Sequence, residues 1–186
     1  VSAMILTKSL NTWVSLIFAL IILLSYSYKS LKKKKSILTL SFIFIIAVLC
    51  FIFITRWERL VDLKNPHNSI VQRLNYWRTA IEIIKAHPLL GVGPGNFQEV
   101  FLKYKVGLRD TRYAHNIFLH QWSETGLLGL IGLTYLIIVL LRNFKIGAKN
   151  IFVLLGGLAF IAHNLIDNTY FIPQAGLFFW ILLALI

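Results

Sequence analysis

The chain has a single cysteine, Cys50, among 186 residues, so no disulfide framework can staple it. Acidic residues are also scarce: seven Asp and Glu stand against nineteen Lys and Arg. Carboxylates this sparse offer no acidic cluster for Mg²⁺ or Mn²⁺, and the long polar segment carries no carboxylate pair of the glycosidase kind. A glycine-rich run at 91–95 lacks the lysine of a nucleotide-binding loop. There is no sequence repeat and no low-complexity tract beyond one lysine run. The N-terminal apolar run lacks a charged leader and a small-residue cleavage site in the order a signal peptide needs. The first residue is Val1 rather than Met, and the chain is read as part of a larger protein.

What the sequence does have is apolar length. Hydrophobic residues make up 58 % of the chain, a membrane composition. Apolar runs near 10–28, 37–55, 125–141, 150–166 and 172–186 approach the roughly 20 helical residues that cross a hydrocarbon core. The expected fold class is all-α: an integral membrane multi-span helical bundle, one domain over 1–186. One long extracytoplasmic loop, about 56–124, would contain short amphipathic helices. The net charge of +12 is concentrated in two short loops, Lys29 with Lys32 to Lys35 and Arg142 with Lys145 and Lys149. Short basic loops mark the cytoplasmic face, so the charge indicates membrane orientation and not nucleic-acid binding. Membrane lipids are the expected surroundings, and the long segment lies outside the cytoplasm.

Within that segment, Asn68 or Ser69 caps a helix that runs to about Ala86, where His87-Pro88 ends it. Ile70, Trp77, Ala80, Ile81 and Ile84 form its apolar stripe, with Arg73 in the middle; Arg78 lies on the polar face, four residues before Glu82. A guanidinium inside an apolar stripe snorkels to water or needs an anion, either a substrate or a carboxylate such as Asp62. Gly91, Gly93 and Gly95 are turn punctuation or a place where backbone comes close to a phosphate or sugar. Phe97, Val100, Phe101 and Tyr104, flanked by Lys103 and Lys105, make a short amphipathic helix that either rests on headgroups or packs into a core.

Arg109, Arg112 and His115 then bring basic groups to the mouth of the next span. At helical spacing His115 shares the apolar face of Phe118, Leu119 and Trp122, and either a structural hydrogen bond or a functional role would account for it. His120, on another face, is expected to be solvated or at a headgroup. Glu124 falls opposite His115 and calls for an arginine or a helix N-terminus as partner. Gly126, Gly129 and Gly132 suggest close helix packing. His163, Asn164 and Asp167 form a second polar set at membrane depth, functional candidates by default.

Arg73 with Trp77 and Ala80, then HPLLGVGPGNF at 87–97, then AHNIFLHQWSETGLLGL at 114–130, resembles the bacterial O-antigen ligase and polymerase family. These are multi-span glycosyltransferases that use a polyprenyl-diphosphate-linked glycan, and the chain corresponds to the C-terminal half of a member. The resemblance implies that Arg73 contacts the donor diphosphate and that His115 is the catalytic histidine that activates the acceptor hydroxyl. It also implies that Glu124 and Gly126 complete that motif. Arg112, Gly93 and Gly95 are further substrate-binding candidates. A second diphosphate arginine is expected upstream, with Arg56 and Arg59 candidates by position alone.

The chemistry suits these residue types. Diphosphate leaves well once its charge is neutralised, which arginines can do in place of a metal. An imidazole, titrating near 6.5 in water, can take a sugar hydroxyl proton. With a base and no covalent nucleophile, single displacement with inversion is the simpler mechanism. No cofactor and no metal are expected. The acceptor implied is lipid A–core, another glycan or a protein, and the location the inner membrane with its active face outward. A polysaccharide transporter or a non-enzymatic assembly subunit is the rival class. A transporter would place charges or broken helices in mid-span, whereas here the polar residues gather at one face.

Overall fold

The computed structural model describes residues 35–143 and 151–184, with Ile17 as a further helical residue. Apart from Ile17, the run at 10–28 lies outside the described residues, as do Lys29, Lys32 to Lys34, Lys145 and Lys149. Every regular element among the described residues is helical: α1 Lys35–Val61, α2 Ser69–Ala86, α3 Phe97–Tyr104, α4 Ile117–Asn143, α5 Ile151–His163, a 3₁₀ turn Thr169–Phe171 and α6 Pro173–Ala184. Among them one helix, over Ile117–Val139, is long and apolar enough to cross a membrane. Phe42–Phe51 and Val153–His163 are shorter apolar helical stretches. α1 starts at Lys35 and continues through Val61, so the helix that covers the expected 37–55 run also carries positions 56 and 59. Its side chains from Phe42 to Phe44 and from Phe53 to Ile54 are exposed in succession, the surface of a helix built for apolar surroundings on all sides.

α2 starts where the cap pattern predicts. The Asn68 side chain accepts from the Ile70 N–H at 2.9 Å, and His87 closes the C-terminus. Its buried face is Tyr76, Thr79, Ala80, Ile83 and Ile84, rotated from the expected stripe, and Ile81 is exposed. The difference arises because α2 packs on both α3 and α4, and a single apolar stripe does not register two partners. α3 settles its two alternatives: Phe97 and Phe101 are fully buried against Tyr76, Ala80, Ile83 and Ala114, so it is a core helix. Burying each ring contributes about 1.5–3 kcal/mol. α5 and α6 pack together through the 3₁₀ turn.

α4 is where the two glycine-containing motifs meet. Gly126 breaks its helical geometry with φ 68° and ψ −169°. A Cβ on Gly126 would sit 2.0 Å from the Leu89 carbonyl oxygen, and one on Gly91 would sit 2.5 Å from the Glu124 backbone. Only glycine permits that approach. Four hydrogen bonds seal it. Val92 N–H donates to Ser123 O and Gly93 N–H to Glu124 O, both at 2.9 Å; Leu127 N–H and Trp122 Nε1–H both donate to Pro88 O at 3.0 Å. HPLLGVG and SETG are thus two halves of one backbone joint. Gly132, grouped with Gly126 on sequence, has nothing within 4 Å of its would-be Cβ.

Candidate functional site

The start of α4 is built by Asn116, whose Oδ1 accepts from both Phe118 and Leu119 N–H at 3.0 Å. Asn116 also donates to Leu165 O, and Ile117 N–H donates to Asn164 O, so the turn after α5 is tied to the N-terminus of α4. Asn164, fully buried, accepts the Tyr170 N–H at 2.6 Å and donates to Phe160 O. His115 therefore precedes the helix rather than lying on it, which overturns its placement on a face with Phe118, Leu119 and Trp122. It takes a positive φ of 55°, sparsely populated by non-glycine residues. From α2, the Trp77 indole donates to the His115 carbonyl at 3.2 Å, and the Tyr76 ring stacks on the imidazole at 5.4 Å.

This scaffold gathers three of the expected residues around the carboxylate of a fourth, Asp167. Asp167 Oδ2 lies 3.9 Å from Arg73 Nη2 and 3.6 Å from His163 Nε2, while Oδ1 lies 3.6 Å from His115 Nδ1. The side chains are 26, 19, 23 and 21 % exposed for Arg73, His163, His115 and Asp167. The cluster is thus half-sheltered and still reachable. None of the three separations is short enough for a hydrogen bond. Arg73 Nε and His115 Nδ1 are buried atoms with no hydrogen-bond partner. Such atoms are costly when left bare. The second polar set expected near the fourth span is therefore part of the first. Asp62, the sequence candidate for the partner of Arg73, instead accepts the Asn68 side chain through its carbonyl.

The other expected residues lie elsewhere. Glu124 Oε1 accepts the Phe97 N–H at 3.2 Å, capping α3 from a distance, and lies 3.5 Å from His120 Nε2. The helix N-terminus, one of its two expected partners, is the one it takes. His120 is 2 % exposed, not solvated, and sits among the rings of Phe97, Tyr113 and Phe171. Its Nδ1 accepts the Ala114 N–H at 3.3 Å, so the proton of the neutral ring belongs on Nε2, facing Glu124. Gly93 commits its N–H to Glu124 O, whereas Gly95, with φ 82°, has open space where a Cβ would lie. Arg112 is exposed and donates to Gln98, and Arg109 reaches Gln72. Arg78 is exposed as expected. Among the described residues no three His, Cys, Asp or Glu side chains gather in a way that could hold a metal ion.

The O-antigen ligase family model matches residues 1–134, most of the chain. The protein belongs to the O-antigen ligase family. Membership makes it an inner-membrane protein. It is similar to the exopolysaccharide production protein ExoQ of Rhizobium meliloti (strain 1021). The two are 26 % identical over 101 residues, covering 50 % of this chain and 23 % of ExoQ. The chain thus spans about a quarter of the length of the curated relative that it matches. No solved structure matches. Arg73, His115 and Glu124 lie inside the family match; His163 and Asp167 lie beyond it. Sequence reading missed the anchor Tyr76 and the cap Asn116, and placed Trp77 in the apolar stripe and the motif without its bond to His115. Asn116 carried a signal, an Asn just before a long apolar run.

Proposed function

We propose that the protein transfers a glycan from a polyprenyl-diphosphate carrier to a hydroxyl acceptor at the outer face of the inner membrane, where the helices form a multi-span bundle. The observation that carries this reading is the convergence of Arg73 and His115, distant in sequence, on the two oxygens of Asp167 beside the mouth of the membrane-length helix. Arg73 binds the donor diphosphate. Its fork matches phosphate oxygens, and the 3.9 Å separation of Nη2 from Asp167 leaves that end of the partly exposed guanidinium available. His115 takes the acceptor proton as the acceptor oxygen bonds to the anomeric carbon. The anomeric carbon–oxygen bond to the carrier breaks, and its electron pair leaves on the diphosphate, whose charge Arg73 offsets. Attack opposite the leaving group inverts the anomeric centre. The second diphosphate arginine expected upstream completes the clamp.

The acceptor divides this proposal. The family's description, O-antigen ligase, supports ligation to lipid A–core as the first reading. The relative's name, exopolysaccharide production, favours a second reading in which the acceptor is the end of another glycan. Full-length protein in lipid, given one defined polyprenyl-diphosphate glycan and either acceptor, distinguishes them by which product forms. Product with neither acceptor, under conditions where a known ligase is active, would contradict both.

A further inference from the structure

Asp167 is positioned to do more than neutralise a neighbour. Its two oxygens face different partners. Oδ1 faces the buried Nδ1 of His115 and accepts the Asn168 N–H at 2.8 Å; Oδ2 faces Arg73 and His163. The Asn168 contact pins the carboxylate locally, and Asn164 pins the turn that carries it. From these contacts we infer that Asp167 is a positioning residue that orients His115 as the base and serves Arg73 as a stand-in anion until the donor diphosphate arrives. This rests on the reading above, and extends it to a residue beyond the family match.

The argument begins with the imidazole. Asp167 Oδ1 lies 3.6 Å from His115 Nδ1, and the field of the carboxylate favours the tautomer with its proton on Nδ1 and the lone pair on Nε2. Nδ1 is buried while the side chain as a whole is partly exposed, so its accessible part excludes Nδ1. When Nε2 takes the acceptor proton, Asp167 stabilises the resulting cation and does not itself take the proton. Three groups besides Asp167 face His115: the Tyr76 ring from α2, His163 across the carboxylate from α5, and His120 from α4, within electrostatic reach. Asp167 is the anion among them. At Oδ2 the same carboxylate faces Arg73 at 3.9 Å, and a diphosphate must compete with it. As the diphosphate takes Arg73 over, the carboxylate loses a cation and its field falls more fully on His115. Donor binding thereby prepares the base.

The test is Asp167→Asn in the full-length protein, with kcat for transfer measured beside the affinity for a short prenyl diphosphate. The amide keeps the shape, removes the charge and no longer dictates the tautomer of His115. The expected result pairs a kcat about 10²–10⁴-fold lower with donor binding unchanged or roughly two- to fivefold tighter, because Arg73 has lost a competing anion. Asp167→Glu, which keeps the charge, is expected to recover part of the lost rate. Normal kcat in Asp167→Asn would overturn the inference. Loss of donor binding together with rate, or failure to fold, would also overturn it, since both indicate a purely structural residue. His115→Ala in parallel separates the two levels. A slow His115→Ala beside a normal Asp167→Asn leaves the base in place and removes the positioning role. Normal turnover in His115→Ala removes the base itself.

Discussion

Replacing Gly126 by alanine tests the joint on which the site rests. The residue's φ of 68° and ψ of −169° fall in a region that is essentially glycine's own, and forcing alanine into it costs about 1–3 kcal/mol. The added methyl would also lie 2.0 Å from the Leu89 carbonyl oxygen, well inside van der Waals contact, so the 88–91 turn must retreat. That retreat strains the bonds from Leu127 to Pro88, Val92 to Ser123 and Gly93 to Glu124, each worth roughly 0.5–1.5 kcal/mol. The expected destabilisation is about 3–6 kcal/mol, read by denaturant unfolding of the purified protein in detergent. Gly132→Ala, on the same helix with open space around it, is the internal control. It should be neutral or stabilise by up to about 1 kcal/mol. Equal stability of the two variants would refute the joint.

Arg73→Ala is expected to abolish transfer and Arg73→Lys to fail with it, since an ammonium lacks the bidentate fork; exposed Arg78→Ala should keep most activity, and equal tolerance of all three would remove Arg73 from the site. His120→Ala should lower stability by about 2–4 kcal/mol, because it hollows a ring-lined site and leaves the Ala114 N–H without its acceptor. A His120→Ala protein as stable as the parent would contradict that packing. A cysteine at Gln98, exposed on α3, should be labelled by an impermeant thiol reagent in intact cells; protection there, with labelling at a cysteine replacing Lys33, would reverse the orientation.

The sequence made Arg73 conspicuous because a charge interrupted an apolar stripe, but its partner lay about a hundred positions away, where no local pattern could point to it. The two glycine motifs were visible as punctuation. Their joint was not, because a close approach of two backbones depends on the space between segments and leaves no periodicity. His120 illustrates the opposite failure. A helical plot that includes His115 runs back through Asn116, the N-cap where α4 starts, so every angle from His115 is measured across a cap. Spacing did carry His163 and Asp167, four residues apart at the end of α5, as one polar set. That this set and His115 are a single cluster depends on Asn116 and Asn164 drawing the two helix ends together.

The most direct measurement is transfer by His115→Ala from a defined polyprenyl-diphosphate glycan, with donor binding followed on the same purified variant. The account predicts a rate roughly 10²–10⁴-fold lower, the range for one positioned proton acceptor, with donor affinity retained because it comes from Arg73 and its upstream partner. Normal turnover, or donor binding lost together with rate, would contradict the assignment of His115 as the base.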